Sequence, residues 1–427
     1  MRRECRCSLK AIVPFNRNQI KIIGRFPVFL FALFSCAFYI NNCKAQEKNY
    51  IIGTVLNGES DAAISNVSVF ITNTSRGTVS AANGSFRLSG IPAGKYDLII
   101  SSVGYTTQVY SFSSDKLPLN LKIYLEPRAT ELETVIVEPY EKDGWEKWGS
   151  FFIENFIGTT EAAKLCKIRN YKTLRFRNSK KKNTLTAVAA EPLIIENREL
   201  GYKITYQLEE FSYDFNKQTL SFLGYTLFED MATDIQHIPK RFLRERRKVY
   251  NGSIVHFMRS LYLKQIEQNG FEVKRVTRLP NTEKERVKAL IRSQAQRQAR
   301  PNPDSSTYFN RILRQDDYQQ TISDYNLTDD SLVSATDNGQ MQLYFDNFIQ
   351  VTYKNGIEEP GYLEYAHERR KLHYPRSIVF LQNSNPLTVE KNGSYAPPSE
   401  FFSSGYWAWS EKISHLLPTD YDNAKGH

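Results

Sequence analysis

Cysteine is scarce in this chain and badly placed for structural work. Of five in 427 residues, Cys5, Cys7, Cys36 and Cys43 fall within the first 45, and Cys166 stands alone in the remainder. One thiol makes no intrachain disulfide and no cysteine-based zinc site. Histidine is equally thin. The six are His237, His256, His367, His373, His415 and His427, and none belongs to an HExxH pair. His367 and His373 lie six apart, which is off a shared helical face and about 20 Å along a strand, too far to hold one ion. There is no GxGxxG, no GxxxxGKS/T and no GxSxG, so phosphate cradles and a nucleophile elbow are missing. Carboxylates such as Glu191, Glu196 and Glu199 are plentiful, but acid–base pairs of this kind meet only in the fold. No catalytic, cofactor-binding or metal-ligating residue is expected.

Positive charge is what the chain has, with a formal net of +10. Most of it is local. Residues 1–45 hold eight lysines and arginines against Glu4 alone, seven of the ten net charges. Nucleic-acid binding thereby loses its main support. The same segment has secretory order: a basic start, the apolar run FPVFLFALFSCAFYI (Phe26 to Ile40), then NNCKAQ. Fifteen apolar residues suit a signal h-region better than a membrane span. Cleavage is expected after Ala45, with an uncleaved anchor or lipidation at Leu33-Phe34-Ser35-Cys36 as the alternatives. Cleavage would leave Cys166, in the apolar pattern EAAKLCKI, which reads as a buried core thiol.

Tyr and Phe number 25 and 26, and both favour strands. Residues 50–125 alternate in the strand period. Val67, Val69 and Ile71 share one face, as do Tyr96, Leu98 and Ile100, and Leu119, Leu121, Ile123 and Leu125. Asn83-Gly84 between two short runs is a hairpin signal. About seven short strands in roughly 80 residues predict an antiparallel β-sandwich. Three further marks are the turn Gly84, the step Ile91-Pro92-Ala93-Gly94 and the closing Gly104-Tyr105. With these the stretch resembles the carboxypeptidase regulatory-like, or transthyretin-like (prealbumin-like), domain at the N-terminus of many bacterial envelope proteins, TonB-dependent receptors among them. The resemblance implies a scaffold. A metallocarboxypeptidase would need a His followed at +3 by Glu, and the first five histidines have Lys240, Arg259, Arg370, Arg376 and Pro418 there.

The expected domains are a signal peptide at 1–45, the sandwich at 48–126, a linker at 127–144 and a larger α+β domain at 145–427. The linker core ETVIVE resembles the segment near the strand that TonB captures. Thr134, Val135, Ile136 and Val137 are accordingly candidates for β-addition, against the plainer reading of a last strand or linker. The roughly 290 residues that follow are too few for a plug and a 22-stranded barrel.

In the second half Trp145, Trp148, Phe152 and Phe156 fall at helical spacing and read as core, with Gly158 as the stop. TEAAKLCKI predicts a second short helix, and Asn183 to Asp230 predicts strands. NGSIVHFMRSLYLKQIEQNG predicts a helix capped by Ser253, stopped by Asn269-Gly270, with Ile254, Phe257, Met258, Leu261 and Ile266 on its apolar face. His256 reads as a core or boundary histidine. The basic run before it, Lys240, Arg241, Arg244, Arg246, Arg247 and Lys248, is a candidate patch for an anionic lipid or acidic partner, against the plainer reading of a solvated surface. The Gln/Arg-rich stretch 286–306 predicts a helix running into a loop, with an internal break near 292–306. NFIQVTYKNG, SIVFLQNSN and PLTVEKNG return to strands.

The pieces AAEPLIIENRELGYKITYQLEEF, YNGSIVHFMRSLY and GYWAWSEKISHLLPTDY are similar to segments of uncharacterised bacterial envelope proteins that carry the same sandwich. The fold class expected is therefore mainly β, a sandwich followed by an α+β domain. The function expected is that of a non-catalytic module scaffolding or binding at the periplasmic or outer-membrane side. Its expected partner is another envelope protein, with no nucleic acid and no cofactor; peripheral membrane association through the basic run is a further option. The alternative is a glycan-binding or glycan-acting protein of a nutrient-uptake system.

Overall fold

The structure, a computed structural model, describes residues 49–128, 139–232, 234, 237–296 and 303–424. The expected signal segment and the strand Thr134–Val137 lie outside them.

Strand alternation builds the first core as expected. The strands are β1 (Tyr50–Asn57), β2 (Ser68–Ile71), β3 (Gly77–Val79), β4 (Ser85–Ser89), β5 (Lys95–Ser101), β6 (Gln108–Ser113) and β7 (Leu119–Leu125). They form two sheets, ordered β4-β1-β7 and β3-β2-β5-β6. Val67, Val69, Ile71, Leu98 and Ile100 are buried between them. Two details differ from the expectation. β7 runs parallel to β1, so the sandwich is antiparallel except at its closing pair. Asn83-Gly84 also does not close a hairpin, because β3 pairs with β2 while β4 pairs with β1. The turn steps from one sheet to the other. Only Gly84 of the two has a left-handed φ, +75°, and a Cβ there would sit 2.5 Å from the Val55 carbonyl oxygen. Glycine is what lets the turn close on β1, where Val55 N donates to Gly84 O at 2.9 Å.

The second core begins with helix α1 (Gly144–Phe156), ended by Gly158 at φ +104°. Phe152 and Phe156 are fully buried, and Trp145 and Trp148 pack against the same core. Next come α2 (Glu161–Lys164), β8 (Cys166–Ile168), β9 (Leu174–Ser179), β10 (Thr184–Ala189), β11 (Leu193–Asn197), β12 (Tyr202–Asp214) and β13 (Thr219–Asp230). They make a six-stranded sheet ordered β8-β11-β12-β10-β9, with β13 on β12. Cys166 therefore opens a strand instead of continuing a helix. It is partly buried, and desolvation pushes its thiol up to about 12, which makes it an inert packing residue at neutral pH.

The third core follows α3 (Lys240–Tyr250) and α4 (Ile254–Tyr262). Ser253 caps α4 as expected, its side chain accepting from His256 N. The helix stops a turn and a half early, with Lys264 at φ +54°. Ile266 leaves the helix but enters the same core as Phe257, Met258 and Leu261. Asn269-Gly270 instead leads into β14 (Phe271–Pro280). The elements after it are α5 (Thr282–Gln296), α6 (Pro303–Leu313), β15 (Tyr318–Ile322), α7 (Asp329–Leu332), β16 (Val333–Ala335), β17 (Met341–Leu343), β18 (Phe348–Tyr353), α8 (Pro360–Tyr365), β19 (Arg376–Leu381), β20 (Leu387–Val389), β21 (Tyr395–Ala396), β22 (Phe401–Gly405) and α9 (Tyr406–Ser410). The sheets are β15-β14-β18-β19-β22 and β16-β17-β20-β21. The expected break near 292–306 lies between β14 and β15 in sequence. β14 and β15 pair directly, Pro280 opposite Tyr318, so α5 and α6 are an insertion at the end of a two-strand ribbon.

Backbone hydrogen bonds join the cores at the turn between β2 and β3 and along the segment 413–421. The turn between β2 and β3 lies along the edge of β13: Asn73 N donates to Thr226 O at 2.7 Å and Phe228 N to Thr74 O at 3.0 Å. The segment 413–421 then ties everything together. Ile413, Leu417 and Tyr421 belong to the second core. Asn197 Nδ2 donates to Ser414 O at 2.8 Å. Thr419 N donates to Asn73 O of the sandwich at 2.6 Å, and Asp420 accepts from Ser75 N and Oγ at 3.0 and 2.6 Å. Arg259 on α4 donates to Thr419 O and Tyr421 O, both at 3.0 Å.

Candidate functional site

Docking the sandwich leaves a cleft of about 540 Å³ beside the joint. One wall is the outer part of β5 and β6, with Lys95, Tyr96, Asp97, Ser111, Phe112 and Ser113. The other is β20, β21 and their connecting turn, with Thr388, Glu390, Asn392, Ser394 and Tyr395. Local chemistry shapes both walls. Strand period 2 turns Lys95, Asp97, Ser111 and Ser113 out from the sandwich, and Ser111 Oγ donates to Asp97 Oδ1 at 2.5 Å. On the other side Gly393 at φ +85° makes the turn. Asn392 Oδ1 braces it, accepting from Ser394 N at 3.0 Å and Ser394 Oγ at 2.7 Å. Arg259 Nε donates to Asn392 O at 2.9 Å and anchors the turn on α4.

One ion pair spans the cleft, Lys95 Nζ to Glu390 Oε1 at 3.4 Å. Three rings sit among the polar groups. Tyr96 and Phe112 pack with centroids 6.1 Å apart, and Tyr395 packs on Phe401 at 5.0 Å. Burial raises the Tyr96 and Tyr395 hydroxyls above the usual phenol range, so both stay neutral donors. The cleft thus offers hydroxyls, amides, ring edges and one of each charge, the lining of a binding site. The strand pattern assigned Tyr96 to the sandwich core, which is right for its ring. What sequence alone did not show is which strand faces the second unit. The Asn392-Gly393 turn was the one local signal for the opposite wall.

The basic run lies on α3, and the helix divides it. Phe242, Arg246 and Tyr250, four apart, form the buried face. Arg246 is fully buried. Its Nε donates to Leu200 O at 2.7 Å, its Nη2 pairs with Asp230 at 2.8 Å, and its guanidinium lies 3.8 Å from the Tyr202 ring centroid. Arg246 is therefore a structural pin and no part of a surface patch. Arg244 pairs with Glu245 at 2.7 Å and Lys248 with Glu359 at 3.2 Å. Arg241 stacks on Phe242 at 4.6 Å, and Lys240 and Arg247 are exposed. His256 is buried as expected. Its Nδ1 accepts from Gly252 N at 3.1 Å, and burial, helped by Arg259, pushes it down to about 4. Among the described residues no group of three or more His, Cys, Asp or Glu is arranged to hold a metal ion.

Residues 51–137 match the CarboxypepD_reg-like domain family. No curated protein matches the chain. Among solved structures, a type II cohesin–X-dockerin complex from Acetivibrio cellulolyticus shares 20% identity over 18% of this chain, with a TM-score of 0.17, and the chain spans 58% of that protein. A Bacteroides fragilis protein described as membrane-associated and of unknown function shares 10% identity, covering 80% of this chain and 93% of its own, with a TM-score of 0.15. A Bacteroides uniformis protein described as carbohydrate-binding shares 11% identity over 43% of this chain and 79% of its own, with a TM-score of 0.14. TM-scores this low establish no shared fold.

Proposed function

We propose that this chain, whose residues 51–137 match the carboxypeptidase regulatory-like family, is a non-catalytic binding module of the bacterial cell envelope. In this proposal the cleft between the sandwich and the β20–β21 turn is its working surface. The observation that carries the reading is the cleft itself: about 540 Å³, walled by two units held in register by backbone hydrogen bonds. Sites of this kind form preferentially at domain interfaces. Domains of this family suit an extracytoplasmic setting, and among the described residues no helix is long and apolar enough to cross a membrane. The partner proposed is another envelope protein, reached through the cleft. The exposed cations Lys240, Arg241, Arg244 and Arg247 would add membrane-surface attraction, and Thr134–Val137 a strand for β-addition.

Filling the cleft tests this. Ser111→Trp and Thr388→Trp each block it from a different wall. Cross-linking in native membranes followed by purification should recover an envelope component at fixed stoichiometry with wild type and lose it with either variant, both melting like wild type. Equal recovery from all three would remove the cleft as the working surface. A second reading is favoured by Tyr96, Phe112 and Tyr395 among hydroxyl and amide groups: the ligand is a neutral oligosaccharide. Saturable titration by such sugars, abolished in Ser111→Trp, separates it from the first.

A further inference from the structure

A second cavity, of about 230 Å³, lies away from the cleft at the junction of α3 and α4. Three segments converge on it that are far apart in sequence: Asn251-Gly252-Ser253, Asn355 to Glu359, and Tyr406 to His415. Its size is below the roughly 300–1,000 Å³ of pockets that hold whole drug-sized ligands. It therefore suits a single group, not an extended molecule.

The polar groups lining it are unbalanced. At the rim Lys248 pairs with Glu359 at 3.2 Å, and the lysine is more than half exposed. Glu411 has no ion-pair partner among the described residues. Its Oε1 accepts from the backbone N–H of Ile254, the first residue of α4, at 3.4 Å. Tyr406 is raised by its own burial and by the Glu359 and Glu411 carboxylates, so its hydroxyl stays neutral between them. His415 is pushed down to about 4 by burial and by Lys248, so it offers a neutral ring. The cavity holds two carboxyls, two phenols and an imidazole against one lysine that is more than half exposed. An anion entering it would meet Glu359 and Glu411. A cation would supply the charge that Glu411 lacks.

We propose that this cavity binds the ammonium group of a small organic cation, with Glu411 as its counter-ion and the Tyr353 and Tyr406 rings as its walls. In the empty cavity a proton takes the cation's place: desolvation pushes the Glu411 carboxyl up to about 8. Binding is then an exchange, in which the cation enters and the Glu411 proton leaves to solvent. Apparent affinity follows the fraction of Glu411 already ionised. It rises with pH, by about tenfold between pH 7 and pH 9 for a group titrating near 8. The groups that face Glu411 are Lys248, Glu359, His415, Tyr406 and Tyr395. Burial pushes the His415 imidazole down to about 4 and the Tyr406 and Tyr395 hydroxyls up, away from this pH window. The adjacent Lys412, lowered by burial to about 8, does titrate there, so a Glu411 variant is needed to separate the two.

The test is titration of the full-length protein with n-butylammonium chloride, followed by calorimetry and by NMR, with n-butanol and sodium butyrate as controls. Butylammonium should bind in preference to both controls, about tenfold tighter at pH 9 than at pH 7. It should release close to one proton per cation at pH 7, measured in buffers of different ionisation enthalpy. Glu411→Gln should lose the binding and the pH dependence. Lys248→Ala, which frees Glu359, should bind more tightly. Equal affinity at the two pH values, equal binding by Glu411→Gln, preference for butyrate, or no saturation by butylammonium at pH 9 would each overturn the proposal. The wild-type pH series decides even if Glu411→Gln does not fold.

Discussion

Arg246 shows how one side chain changes meaning between sequence and structure. In the string KRFLRERRKVY it is one cation among six. Helical spacing then turns it inward onto Leu200, Gly201, Asp230 and Tyr202. Breaking a buried pair of this kind by removing one partner costs about 3–5 kcal/mol, whereas Arg247→Glu on the same helix should stay within about 0.5 kcal/mol. Urea unfolding of Arg246→Met beside Arg247→Glu checks this, and equal midpoints would refute the division of the helix. Two histidines give a pH dependence. His256 and His415 are both pushed down to about 4, below the about 6.5 of an unfolded chain. Such groups stabilise the fold above pH 6.5, and that contribution is lost as pH falls towards 4. The unfolding midpoint should therefore drop between pH 7 and pH 4, and His256→Gln should flatten the slope. Parallel curves for the two proteins would sink this. Glu411 acts in the opposite sense, since its raised carboxyl costs stability only as pH climbs from about 4.5 towards 8.

At the scale of elements, the sandwich was legible because period 2 and one buried face fix each other. Val67, Val69 and Ile71 fall inside in only one register. Helix α1 was legible for the same reason at period 3.6. Three things were not. The Asn83-Gly84 turn has a hairpin's local chemistry, and nothing within a few residues says that its strands will join different sheets. The helix at α3 was hidden by its charges, since the buried face contains an arginine where a hydrophobe would announce it. The cleft was invisible because both walls are ordinary strand ends brought together by a joint whose two sides, Asn73 and Thr419, lie 346 residues apart in sequence. Two measurements belong here. Gly84→Ala must hold φ near +75° and push a methyl group towards Val55 O, for a cost of about 1–3 kcal/mol; an unchanged melting temperature would show that the turn relaxes freely. Residues 48–128 expressed alone should melt cooperatively with β-type circular dichroism, because Ile51, Val69, Leu98 and Leu125 close a core of their own. A disordered fragment would show that β13 completes the sandwich.

At the scale of the whole molecule, the segment 413–421 decides how three cores behave as one body. It touches the second core through Ser414, the sandwich through Thr419 and Asp420, and helix α4 through Arg259. Asp420→Ala removes both Ser75 bonds and the partner of Arg76. It should loosen the sandwich while leaving each core intact, seen as faster proteolysis near the β2–β3 turn without loss of circular dichroism. Unchanged proteolysis would place the joint's strength in β13 and Thr419. The order of synthesis gives this segment a further consequence. It is made after every part it fastens, and the second core lacks Ile413, Leu417 and Tyr421 until it is in place. A single protease cut before Ser414 would turn this clasp into a separate peptide, held on the three cores by its hydrogen bonds and buried side chains alone.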